Sequence, residues 1–234
     1  ENQLRPRGIT NDRVLDVMGD VPRHLFVAED LRDEAYMDGP LSIGFDQTIS
    51  QPYIVAFMTE VLKVEQQHSV LEIGTGCGYQ SAVLSSLAKH VISLERIKEL
   101  AESAQRRLME LDYSNVDVVH GNGWNGYIQK APFDRIIVTA SAPEIPKNLL
   151  DQLEVGGIMI IPVGEDFNDQ ILKKVVKNNN NRISVTNILD VRFLSFLTKY
   201  KFTPAEFPPT KIYPLLFPSS VNADMEEPQY KPDL

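Results

Sequence analysis

Cysteine is nearly absent: Cys77 is the only one in 234 residues. An intramolecular disulfide is excluded, and so is any metal centre built on several thiolates. The four histidines, His24, His68, His90 and His120, are scattered without metal-ligand spacing, so no metal is expected and all four read as surface or structural. Basic charge is also scarce, with 23 Lys and Arg against 32 Asp and Glu, a net charge of -9. A chain without a basic surplus has little to exchange for the counterions of a phosphate backbone, which argues against nucleic acid as a partner. No apolar run approaches the roughly 18 residues of a membrane span, and no charged-then-apolar leader is visible, so no membrane partner is expected. A soluble, reducing, cytoplasmic setting is the simplest expectation. The chain begins at Glu1 rather than methionine, and what precedes that residue is left open.

What is present is enough apolar residue, 43%, to bury a full core. Residues 4–19 have helical texture, followed by a break at Val21-Pro22-Arg23, where a functional role for Arg23 and His24 stands beside the plainer reading as solvated charges of a loop. A charged helical segment then runs to Tyr36 and ends at Asp38-Gly39-Pro40. Residues 44–52 read as a polar loop opening a helix, with Pro52 near its first position and Ser50 as a hydroxyl assisting the start. Behind it, Tyr53, Ile54, Phe57, Met58, Val61 and Leu62 recur at helical spacing, which predicts one apolar face.

From Ser69 the pattern alternates. Apolar runs at 70–73, 91–94, 116–119, 136–138 and 158–163 read as buried parallel strands, separated by helical periods at 81–88, 97–111 and 145–153. This predicts a doubly wound α/β sheet with its ligand at the carboxyl ends of the strands. Residues 170–176 and 183–197, joined by Asn178-Asn179-Asn180-Asn181, read as an antiparallel edge. Seven of the 15 prolines fall between Pro204 and Pro232, marking 202–234 as a Pro-rich C-terminal extension.

The densest signal is at 70–80, where an apolar run meets Gly74, Gly76 and Gly78 at alternate positions before a helix. A dinucleotide fingerprint is Gly-x-Gly-x-x-Gly, with the helix N-terminus facing a pyrophosphate. Here the third glycine comes one residue early and Tyr79 stands in its place, a spacing suited to a nucleoside ligand without phosphates. Glu72 is placed to orient the loop or meet an ammonium group. Glu95 ends the next strand, where a carboxylate accepts from a ribose diol, although a surface ion pair with Arg96 is the plainer alternative. Asn122 and Gly123 follow the third strand, where an adenine would sit. Cys77 reads as a small turn residue rather than a nucleophile. These features together suit S-adenosyl-L-methionine.

The chain also resembles the protein-L-isoaspartate (D-aspartate) O-methyltransferases over residues 4–197. The resemblance rests on Gln3-Leu4-Arg5 with Arg7-Gly8-Ile9, Val21-Pro22-Arg23, Gln47-Thr48-Ile49-Ser50-Gln51-Pro52-Tyr53, residues 70–79, residues 133–140, and residues 146–164 with Ile161-Pro162-Val163-Gly164. It implies a Rossmann-like class I methyltransferase fold with a helical N-terminal part. Residues 1–201 would form one domain, 1–68 carrying the active-site loop. It implies methyl transfer from S-adenosyl-L-methionine to the free carboxylate of isoaspartyl residues in damaged proteins and peptides. S-adenosyl-L-homocysteine is the product, and the ester collapses to a succinimide. Ser50 matches the family's active-site serine, and substrate contacts fall on Thr48, Ile49 and Ser50. Loop reading and resemblance together put the cofactor on Thr48, Ile49, Ser50, Glu72, Gly74, Thr75, Gly76, Gly78, Tyr79, Glu95, Arg96, Asn122, Gly123 and Thr139.

The acceptor carboxylate, with a reference pKa near 4, is already ionised at neutral pH, so catalysis becomes orientation and exclusion of water. Three departures from the family pattern stand out. Asp46 occupies a position that is usually glycine, Asn122 one that is usually aspartate, and Phe193-Leu194-Ser195-Phe196-Leu197 replaces Phe-Val-Pro-Leu. A different carboxylate acceptor, a cofactor-binding module without catalysis, and a nicotinamide oxidoreductase are the alternatives. A monomer is expected.

Overall fold

The computed structural model describes residues 3–166 and 168–194. The apolar runs become a seven-stranded sheet in the order β5-β4-β3-β6-β7-β8-β9. The strands are β3 (Ser69–Ile73), β4 (His90–Glu95), β5 (Val116–His120), β6 (Phe133–Val138), β7 (Leu153–Val163), β8 (Gln170–Lys177) and β9 (Ile183–Val191). β3 to β7 are parallel, and β8 and β9 add the antiparallel edge. Because successive side chains of a strand point to opposite faces, Val70, Val91, Val116, Ile137 and Ile160 fill one core layer. Leu71, Ile92, Ile136, Val138 and Met159 fill the other. Both faces are covered, which is why these strands read as continuous apolar runs.

Among the described residues there are five α-helices, α1 (Asp12–Asp20), α2 (Pro52–Leu62), α3 (Tyr79–Ser85), α4 (Lys98–Glu110) and α5 (Lys147–Gln152); α2 to α5 flank the sheet, and α1 packs on α2. The chain steps outward from β3 through β4 to β5, then returns to place β6 on the other side of β3. The loops leaving β3 and β6 therefore diverge, opening a crevice at the carboxyl ends of the strands.

Two expectations for the N-terminal part are corrected. The stretch read as a polar loop is half of a hairpin, β1 (Leu41–Gly44) against β2 (Gln47–Ile49), closed by the two-residue turn Phe45-Asp46. Both turn residues have positive φ, 54° and 55°, the backbone of a mirror-image turn that matches strand twist. The usual Asn-Gly or Asp-Gly signal is missing, so the hairpin was not legible. Helix α2 is also not apolar on one face only. Tyr53, Ile54, Val55, Ala56, Met58, Thr59 and Leu62 are all buried, because α2 lies between the sheet and α1. Of the predicted edge segment, 195–197 lie outside the described residues, as does the 202–234 extension.

Candidate active site

The glycine loop between β3 and α3 forms the floor of the crevice. Gly74 has φ +99°, and a Cβ there would lie 2.4 Å from Thr139 Oγ1. The Thr139 hydroxyl is held by the carbonyls of Gly74 at 2.6 Å and Ile73 at 3.0 Å, stitching the β6 exit onto the β3 exit. Only a residue without a side chain fits both the backbone angle and this contact.

Two carboxylates support the loop from different sides. Glu95, at the end of β4, is buried, and its Oε2 accepts the Gly76 N–H at 2.9 Å while Oε1 accepts the Ile97 N–H at 2.9 Å. Its partners are backbone groups rather than Arg96, so the ion-pair alternative falls. Glu72 is wholly buried beneath the loop, its Oε2 accepting from the hydroxyls of Ser81 and Ser93, and Ser93 Oγ meets Thr75 Oγ1 at 2.6 Å. Glu72 Oε1 has no hydrogen-bond partner among the described residues. Burial pushes the Glu72 carboxyl up to about 7, against the opposing effect of the two hydroxyl bonds.

Above the floor lies an open cleft. Thr48, Ile49 and Ser50 line it from the hairpin side, Gly74, Thr75, Gly76 and Tyr79 from the loop, and Thr139 from the exit of β6. The structure thus gathers eight of the expected residues in one place. Gly78 is the N-cap of α3 just behind. Glu72 and Glu95 act through the loop rather than from the lining. Arg96, Asn122 and Gly123 are not in the lining but at the neighbouring strand ends, where the Gly121 N–H donates to the Glu95 carbonyl at 2.9 Å. Asn122 is exposed, and its Oδ1 caps the following 3₁₀ turn by accepting the Trp124 N–H at 3.0 Å.

Sequence reasoning missed Ile54, Val55, Met58, Cys77, Gln80 and Phe193 as lining residues. The first three lay in a run read as core, which they also are. Phe193 is brought in by Gln170, whose Oε1 accepts the Phe193 N–H at 2.6 Å and whose Nε2 donates to its carbonyl at 3.0 Å. No local pattern announces such a contact between two strand ends. Cys77 matches its reading as a turn residue, with burial pushing its thiol pKa up and away from reactivity.

The reading of Arg23 as a solvated loop charge is overturned. Its side chain is 1% exposed, in the 3₁₀ turn Arg23–Phe26, with Nη2 donating to the Ser50 carbonyl at 2.8 Å. Ser50 itself is half-buried and does not cap α2. Its Oγ has no hydrogen-bond partner among the described residues, and Ser50 lines the cleft.

Among the described residues no Lys or Arg lines this cleft. Bare glycine backbone, hydroxyls and apolar side chains suit an uncharged nucleoside joined to a cationic sulfur. Each Glu95 oxygen holds one backbone N–H and retains further acceptor capacity. The residues present therefore fit S-adenosyl-L-methionine.

Comparison with known proteins agrees. The family model for protein-L-isoaspartate(D-aspartate) O-methyltransferase matches residues 2–201. A protein-L-isoaspartate O-methyltransferase of Synechococcus sp. is 57% identical over 169 residues, covering 72% of this chain and 69% of the relative. One from Syntrophus aciditrophicus is 46% identical over 201 residues, covering 86% and 92%. A Plasmodium falciparum chain of the same enzyme class, solved in complex with S-adenosyl-L-homocysteine, superposes with a TM-score of 0.73 at 28% identity, covering 85% of this chain and 96% of that one.

Proposed function

Since the chain belongs to the protein-L-isoaspartate(D-aspartate) O-methyltransferase family, we propose that its cleft methylates the free carboxylate of L-isoaspartyl residues in damaged proteins and peptides, initiating repair through a succinimide. The enzyme is S-adenosyl-L-methionine-dependent and releases S-adenosyl-L-homocysteine. The observation that carries the reading is the meeting of Thr48, Ile49 and Ser50 with the glycine loop in one cleft.

When bound, the cofactor supplies an electrophilic methyl group on a sulfonium. Gly74, Thr75, Gly76, Gly78 and Tyr79 hold it from the loop, Glu72 and Thr139 brace that loop, and Glu95, Arg96, Asn122 and Gly123 take the nucleoside end. Ser50 is the catalytic residue: its Oγ donates to the acceptor carboxylate and fixes one oxygen. Thr48 and Ile49 touch both ligands from strand β2. Ile54, Val55, Met58 and Phe193 keep water from the reacting oxygen, which strengthens every polar contact it makes. No general base is needed, because the acceptor arrives ionised.

Residues 1–201 form the methyltransferase domain in this reading, 1–68 carrying the acceptor side, with 202–234 an extension. The enzyme acts as a cytoplasmic monomer with no nucleic acid or membrane in its reaction. The acidic net charge of -9 supports the first of those exclusions. Among the described residues no helix is long and apolar enough to cross a membrane. The test is transfer of labelled methyl to an isoaspartyl peptide beside its aspartyl twin. Transfer to the first alone is the expected result; transfer to neither, with S-adenosyl-L-homocysteine still bound, would overturn the assignment.

A further inference from the structure

Among the described residues Arg23 is the largest wholly buried side chain, and no carboxylate pairs with it. A guanidinium removed from water needs compensation, and one partner short of it is costly. Among the described residues Arg23 draws its compensation from two carbonyls and the side chain of Tyr79. Its Nε donates to the Ala35 carbonyl at 2.6 Å, its Nη2 donates to the Ser50 carbonyl at 2.8 Å, and its Cζ lies 4.8 Å from the centre of the Tyr79 ring. Nη1 has no partner among the described residues. The guanidinium thus joins three separate stretches: residue 35, the exit of β2 that carries Ser50, and the start of α3 behind the glycine loop.

We propose that Arg23 is the positioning and charge-selecting residue of the acceptor side, holding Ser50 in place through its carbonyl and supplying the positive potential that favours an anionic acceptor. This rests on the function proposed above. Nη1 is too deeply buried to touch the acceptor, so Arg23 acts through Ser50 and through its field rather than by contact. An unneutralised charge in a poorly polarisable interior is weakly screened, and it stands one side chain behind the hydroxyl meant to meet a carboxylate. It also explains how a cleft without a lining Lys or Arg can prefer an anion. The neighbouring Tyr79 ring presents its face to the cation, an arrangement that stabilises the charge without cancelling it.

The experiment compares wild type with Arg23→Met, which keeps the aliphatic stem but removes charge and donors, and Arg23→Lys, which keeps the charge. Peptide KM and kcat are measured alongside S-adenosyl-L-homocysteine affinity by calorimetry and fold by circular dichroism. Arg23→Met should raise the isoaspartyl-peptide KM tenfold or more and leave homocysteine-product affinity within about threefold, while Arg23→Lys recovers part of the KM. A purely structural role would lower both affinities together, and that result, or an unchanged KM, overturns the proposal. Should Arg23→Met not fold, the wild-type protein decides: an isoaspartyl peptide should bind at least tenfold tighter than its carboxamide twin, and equal binding overturns the proposal. Methyl transfer absent from wild type overturns the function and this inference together, whereas transfer present with an unaltered KM overturns the role of Arg23 alone.

Discussion

Gly74→Ala should be the most damaging single methyl addition in the glycine loop. An alanine there must adopt φ +99°, at a cost of about 1 to 3 kcal/mol for a side chain forced into that region. Its Cβ would also stand 2.4 Å from Thr139 Oγ1, so the hydroxyl must swing away from the Gly74 carbonyl it meets at 2.6 Å. Losing that bond adds about 1 kcal/mol. The expected loss is about 2 to 4 kcal/mol, or roughly 5 to 15 °C in Tm for a domain of this size. Urea unfolding followed by circular dichroism measures it, and calorimetry should show weakened binding of S-adenosyl-L-homocysteine. The mechanism predicts coupling. Thr139→Ala alone should cost about 1 kcal/mol, but in the double variant the new Cβ faces only Thr139 Cβ, at an ordinary 3.7 Å. The double variant should therefore be less destabilised than the two single losses combined, by about 1 kcal/mol. Strict additivity, or a Gly74→Ala protein within about 0.5 kcal/mol of wild type, would refute the steric account.

Ser50→Ala should lower kcat on an isoaspartyl peptide about 10- to 100-fold, the worth of one hydrogen bond to a charged group, with cofactor affinity nearly intact; a loss confined to cofactor binding would count against the assigned role. Asp46→Gly relieves a φ of 55° in the hairpin turn and should raise the urea midpoint, by up to about 1 kcal/mol of stability, whereas a less stable glycine variant would contradict the strain. Glu72 has its folded pKa raised from 4.5 to about 7, so the folded state holds a proton there that the unfolded state releases. Its contribution is fully present below pH 4.5 and is lost as pH rises through 7, at most about 3 kcal/mol. Glu72→Gln should flatten the stability profile across that window and exceed wild type above pH 7; parallel profiles for the two proteins would exclude the shift.

Much of this protein is legible without a structure. Strand periodicity located β3 to β9, since side-chain alternation and burial on both faces are local properties of sequence. The early third glycine argued against a pyrophosphate loop, and the family match agrees with the methyl-donor cofactor expected in its place. The stretch from Gln47 to Tyr53 carried the family, although its backbone was misread. The hairpin turn at Phe45-Asp46 holds two residues rarely found at positive φ, and nothing local distinguishes them from a loop. Glu95 was expected at the ribose of the ligand, but its hold on the Gly76 N–H became visible only once two adjacent strands were in register.

The sequence by itself determined the alternation of strands and helices, the cofactor loop and the family, because each depends on residues close together in the chain. Tertiary structure alone decided which residues line the cleft and what holds them. Arg23 looks like a solvated charge because its partners, the carbonyls of Ala35 and Ser50, lie 12 and 27 residues away. Phe193 is held at the cleft by Gln170, 23 residues earlier. A buried charge and a borrowed wall are satisfied by backbone groups, which every residue carries alike, so no residue pattern could name them in advance.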